Sequence, residues 1–210
     1  MRVLYIGVFL FVGLFSVVSN FAQGAEQSGM IKTANGILVV WNEPGNYYTI
    51  EIKGEKILPV EGHSLWFTVD GKFFQIVTAM KKEISVDLNK KDLDDKAILT
   101  AHRDWESDYI SKTITAKIKV DSAWLKLSNG MDALAWSYEM PHVAEKQTAR
   151  IQLYLSVSKR DRVFALNSVV EVENNEKAIR QFLVDTMNTL KPSDKPLSLE
   201  KVREQILKTD

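Results

Sequence analysis

The chain has 210 residues with 27 basic side chains, 27 acidic ones and no cysteine. The missing cysteine excludes thiol catalysis, disulfide cross-links and a lipid-modified cysteine, so the fold must hold by packing alone. Balanced charge with no basic stripe argues against nucleic acid as a partner and against a polybasic membrane-surface protein.

Met1-Arg2 precede an uncharged, largely apolar run from Val3 to Val18, and then Ser19-Asn20-Phe21-Ala22-Gln23-Gly24-Ala25. One positive charge, an apolar core and small residues at alternate positions are the three parts of a secretory signal. Ala22 and Gly24 stand where a cut before Ala25 needs small side chains. A retained anchor is the alternative, but the run is shorter than the roughly 20 residues that span a bilayer. Residues 1–24 therefore read as a signal peptide, and its removal leaves 186 residues. The expected mature protein is exported, periplasmic or secreted, with no stable membrane insertion. A chain of that size buries roughly 70% of its unfolded surface, enough for one domain over 25–190. Residues 191–210 read as a C-terminal tail.

Ile37 to Trp41 is a solid apolar strand. Tyr48, Ile50 and Ile52 alternate with Thr49, Glu51 and Lys53, the period of a half-buried strand. Ser64–Val69 and Lys72–Thr78 flank Asp70-Gly71, a dipeptide suited to the positive φ values of a tight hairpin turn. From Asp92 to Thr113 the period changes. Ile98, Ala101, Trp105 and Tyr109 recur at spacings of three and four, which predicts an amphipathic helix on a sheet. Asp92, Asp94 and Asp95 crowd its first turn and complement the helix dipole. Five strands are then predicted: Ile114–Val120, Trp124–Leu127 with Met131–Met140 across a Ser128-Asn129-Gly130 turn, Ala149–Val157, and Val163–Val170. Their one-face alternation is that of antiparallel meanders. A helix from about Asn175 to Leu190 presents Ile179, Phe182, Leu183, Thr186, Met187 and Leu190, with Asn174 or Asn175 as its cap. Pro192 stops it. The tail carries a short amphipathic helix with Ser198 as cap and Leu199, Val202 and Ile206 as its docking side, on its own domain or in a partner's groove. The expected class is α+β, an antiparallel sheet or sheets with two main helices packed on it.

Motifs for chemistry are scarce. There is no GxSxG, P-loop, GxGxxG or HExxH pattern. His63, His102 and His142 do not stand at metal-ligand spacing, so neither metal nor cofactor is expected. His102 with Glu106 one turn on is raw material for a general base. The simpler reading is a boundary histidine on a surface helix, paired with Glu106. The aromatics are mostly expected in the core. Two adjacent pairs, Tyr47-Tyr48 and Phe73-Phe74, must point to opposite faces of their strands. With Trp66 they form the candidate ligand or partner surface beside the Asp70-Gly71 hairpin.

The strand Arg162-Val163-Phe164-Ala165-Leu166-Asn167-Ser168, leading through a polar turn into a helix that ends Phe182…Thr186-Met187-Asn188-Thr189-Leu190, resembles the closing strand and helix of the PsbP-like superfamily. The resemblance covers residues 114 to 190. It implies an α/β/α sandwich around a central antiparallel sheet and a non-enzymatic accessory or binding role. That superfamily includes oxygen-evolving accessory proteins of photosystems and exported bacterial proteins, and has no shared catalytic set. The expectation is a non-catalytic binding or accessory protein of the cell envelope that takes a protein partner or a small apolar ligand through a sheet face. The alternative is a hydrolase whose carboxylates meet His102 only in three dimensions.

Overall fold

Alternating apolar side chains on six long strands need cover on the faces they line, and this requirement builds the molecule in layers. The computed structural model describes residues 27–84, 93–141, 150–171 and 176–208. The predicted signal, Asp92, His142, Asn174 and Asn175 lie outside the described residues.

The elements in chain order are β1 (Gly29–Thr33), β2 (Gly36–Glu43), β3 (Asn46–Lys53), β4 (Ile57–Val60), β5 (His63–Val69), β6 (Lys72–Met80), α1 (Lys81–Ile84), α2 (Asp95–Thr113), β7 (Val120–Lys126), β8 (Asp132–Glu139), β9 (Arg150–Lys159), β10 (Arg162–Glu171), α3 (Glu176–Asn188), β11 (Lys191–Ser193) and α4 (Leu199–Leu207). They form two antiparallel sheets. One has four strands in the order β1-β2-β3-β11, the other seven in the order β4-β5-β6-β10-β9-β8-β7. The fold is thus the expected α+β class.

Asp70 and Gly71 both take positive φ, 49° and 80°, between the paired residues Val69 and Lys72. That is the turn that matches the twist of its flanking strands. The predicted strand Ile114–Val120 is corrected. Thr115 takes a φ of 55°. The amide of Ala116 donates to the Ser111 carbonyl at 3.1 Å, and that of Ile118 to Ser111 Oγ at 3.3 Å. These donors are spent on the end of α2, so pairing starts only at Val120. β1 and β4 are additional strands that carry no strong alternation, and so is β11, which pairs the first residues of the expected tail with β3.

One face of the large sheet packs Phe67, Phe74, Leu153, Leu155 and Leu166 against Tyr48, Ile50 and Ile52 of the small sheet and against Ile179, Leu183 and Met187 of α3. The other face packs Leu134, Trp136, Tyr138 and Tyr154 against Ile98, Leu99 and Ile110 of α2. α4 lies on the outer side of the small sheet, where Asn42 holds Leu197 through two hydrogen bonds of 2.7 and 2.9 Å. None of its residues is buried.

Polar side chains also lie inside. Gln152 Nε2 donates to Asn167 Oδ1 at 3.1 Å, and Asn167 Nδ2 donates to Gln75 Oε1 at 3.0 Å. This amide chain crosses β9, β10 and β6, and all three residues are buried. Replacing its middle member strands a donor on one side and an acceptor on the other, each costing roughly 1–3 kcal/mol. The Asn167→Leu variant is therefore expected to lose about 3 kcal/mol of stability, measured by urea unfolding. A loss below about 0.5 kcal/mol, the level of an ordinary surface change, would show that both glutamines find other partners.

Candidate functional site

α2 starts at Asp94, whose carboxylate accepts from the Ala97 amide at 2.7 Å. From there the three-and-four spacing turns Ile98, Leu99, His102, Glu106 and Ile110 toward the sheet. His102 is thus not the boundary histidine expected from the sequence: it is 0% exposed, and Glu106 is 4% exposed. Helix and sheet close over both because β8 and β9 present large aromatic rings there. The Trp136 and Tyr154 rings stack at 3.8 Å with 4° between their planes.

His102 Nε2 stands 3.9 Å from Glu106 Oε1, too far for a hydrogen bond. Neither imidazole nitrogen has a hydrogen-bond partner among the described residues, and the same holds for Trp136 Nε1 and Ser156 Oγ. Burial disfavours the charged form of each ionisable group. It pushes the His102 imidazole down to about 4 and the Glu106 carboxyl up to about 7. The Tyr138 phenol is pushed up to about 12 by burial and then by the Glu106 charge. The Tyr154 phenol is raised well above its ordinary value, chiefly by burial. At neutral pH the imidazole is uncharged and sealed from solvent, so it does not reach a substrate. The catalytic alternative thereby loses its best base.

The predicted aromatic surface divides. Tyr48 and Phe74 are fully buried. Tyr48 meets Phe164 edge-on at 5.3 Å and Phe74 meets Phe182 at 5.2 Å. Tyr47, Trp66 and Phe73 point the other way and are half-buried. Tyr47 belongs to the small sheet, Trp66 and Phe73 to the large one, so the five residues share no single face. Trp66 stacks on His63 at 4.0 Å and meets Phe73 edge-on at 5.5 Å. Strand register carries this group into a row that the sequence did not reveal. Trp66, Gln75, Asn167, Tyr154, Trp136 and Ser122 follow one another across six strands.

Two clefts open beside the core. The first, about 460 Å³, lies between α3 and the β7–β8 edge. α3 packs over β9 and β10, while β8 turns the small side chains Ala135 and Ser137 to this face, paired with Ala123 and Asp121 of β7. The volume is left where those side chains are short. Leu125, Leu153, Leu155, Leu183 and Val184 line it, and Arg180 stands at one end. Arg180 donates to Ser137 Oγ at 3.1 Å and pairs with Glu176 at 2.6 Å. The second cleft, about 1,020 Å³, lies under α4 against Leu38, Thr49 and Glu51. It is wider and bordered by charge, including the Arg160–Asp194 pair at 3.1 Å. The first is the more apolar and the better shaped for a small ligand, which such sites hold by apolar walls and a few polar groups. Its residues gave little sequence signal, because Ala135 and Ser137 read as ordinary strand positions.

Among the described residues no three His, Asp or Glu side chains gather as metal ligands. No helix among the described residues is long and apolar enough to cross a membrane.

The architecture is that of an α+β protein with two antiparallel sheets and helices on their faces. Among solved structures it is similar to the solution structure of cyanobacterial PsbP (CyanoP) from Synechocystis sp. PCC 6803. The two agree with a TM-score of 0.50 over 80% of this chain and 98% of that one, at 11% sequence identity. At that identity the likeness shows a PsbP-like fold and nothing finer. No protein-family model and no curated protein matches the sequence.

The different exposures of two histidines can be read chemically. Treating the native protein with diethyl pyrocarbonate is expected to modify His63, which is exposed, and to leave His102 intact until the protein is denatured. Peptide mass mapping reads the result. Rapid modification of His102 in the native protein would show that the layer under α2 opens to water.

Proposed function

We propose that the protein is an exported, non-catalytic accessory protein of the cell envelope that binds a small apolar ligand in the groove between α3 and the β7–β8 edge. The observation that carries this reading is the groove itself: an apolar trough of about 460 Å³ on a sheet face, floored by short side chains and ended by Arg180. The ligand expected there has an apolar body on Leu153, Leu155 and Val184 and a hydrogen-bonding or anionic end toward Arg180. Export rests on the form of residues 1–24. A non-catalytic role accords with a PsbP-like fold and with a histidine that is buried away from solvent.

The probe that tests it is 1-anilinonaphthalene-8-sulfonate, an anionic aromatic of suitable size. It should bind the native protein at one saturable site with blue-shifted fluorescence. Ala123 is on an exposed strand, so Ala123→Trp is expected to fill the groove mouth without harm to folding and to weaken the probe at least tenfold. Val202→Trp, in the cleft under α4, should leave it unchanged. Equal binding to wild type and Ala123→Trp would overturn the assignment, and loss in Val202→Trp alone would move the site beneath α4.

A further inference from the structure

His102 and Glu106 stand one helical turn apart on the inner side of α2, their nearest polar atoms 3.9 Å apart. β8 brings Trp136 and the neutral phenol of Tyr138. β9 brings the neutral phenol of Tyr154 and the Ser156 hydroxyl. α1 brings Ile84, while its Lys81 pairs with Asp95 at 3.5 Å, two turns before His102. On the flank of α2 that faces β7, Arg103, three residues before Glu106, is held by Asp104 and Ser122, and Lys96 lies over the Trp124 ring. Among the described residues, burial is thus the cause that displaces both groups.

We propose that His102 and Glu106 are a proton-compensated pair: folding moves their one shared proton from the imidazole to the carboxyl without taking up or releasing any, so the seating of α2 on the sheet is insulated from the pH of the medium. In the unfolded chain between pH 4.5 and 6.5 the imidazole is charged and the carboxyl ionised, so the pair holds one proton on His102. In the folded protein burial drives the carboxyl up to about 7 and the imidazole down to about 4. Between those limits the pair again holds one proton, now on Glu106.

Stability depends on pH only where the two states bind different numbers of protons. Glu106 alone, with its folded value raised, favours the fold below 4.5 and loses that contribution as pH rises toward 7. His102 alone, with its folded value depressed, loses stability as pH falls from 6.5 toward 4. The signs are opposite and the displacements similar in size, so the two slopes offset each other. The inference does not depend on the groove or its ligand.

The experiment is urea unfolding of four full-length proteins between pH 4 and 7: wild type, Glu106→Gln, His102→Leu and the double variant. The double variant carries the background of all other groups. Against it, the unfolding constant of Glu106→Gln is expected to rise on the order of 100-fold as pH falls from 7 to 4. That of His102→Leu is expected to rise on the order of 100-fold as pH goes from 4 to 7. Wild type should stay within about threefold of the background profile. Parallel profiles for all four would overturn the proposal. A second readout needs no variant: in wild type at pH 5.5, NMR should find the His102 imidazole neutral and the Glu106 carboxyl protonated. An imidazolium beside a carboxylate there would equally overturn it.

Discussion

The constraint on which the rest depends is that β9 and β10 are covered on both faces. From Gln152 to Ser158 and from Val163 to Ser168 every residue is buried. An antiparallel strand normally leaves one face to water and puts polar side chains there. Here those polar side chains are shut in, and each needs a partner. Gln152, Asn167 and Gln75 find one another and Ser158 finds Asp95 at the start of α2, while on the opposite face Ser168 donates to the Phe73 carbonyl at 2.6 Å. The position of α2 follows from the same requirement. It covers the polar face, accepts from Ser158 through Asp95 at its start, and buries His102 and Glu106 in the same layer.

This also explains what the sequence made legible. The strands β2, β3, β5, β6, β9 and β10 and the helices α2, α3 and α4 follow from period and turn chemistry, because those signals are local. The split of Tyr47-Tyr48 and Phe73-Phe74 follows from alternation alone. Whether an alternating strand has a wet face is not local. Gln152, Tyr154, Ser156 and Ser158 look like a solvent face, and only the docking of α2 makes them interior. His102 was hidden for the same reason. A helix with Asp, Glu, Lys and Arg at so many positions reads as a surface helix, and its polar inner stripe stands out only against Trp136 and Tyr154. Ile114–Val120 failed differently: its alternation is real, but its amide donors are taken by Ser111.

The groove is a further consequence of an uneven covering. α3 is a thirteen-residue helix and spans about 20 Å at 1.5 Å per residue, so it covers β9 and β10 but not the last two strands. The two ends of the large sheet differ in kind. β4 is four residues long, contains Pro59 and shifts register after it, features that blunt an edge. β7 pairs in unbroken register along seven residues, with Trp124 43% and Leu125 38% exposed on opposite faces. Asp121 and Lys126 put charge on that strand, which discourages pairing with another chain. β7 is therefore kept in place as one wall of the trough, with Leu125 turned inward and Trp124 steadied from the other side by Lys96.

Buried ionisable groups are expensive unless the charge is removed, and a charged pair in such a place seldom repays its desolvation. The protein meets this cost by keeping the pair neutral. The chemistry of the surrounding layer fits that choice, since two phenols, an indole and a hydroxyl solvate a neutral imidazole and a neutral acid better than they solvate two ions. It also accounts for the 3.9 Å separation, which suits two neutral groups sharing a dry layer and is long for a salt bridge that must offset its own desolvation. An isolated acid or an isolated base in this position would tie the helix to pH. Only the two together, with opposed displacements, allow polar residues to fill the α2 layer while α2 stays seated through the mildly acidic range.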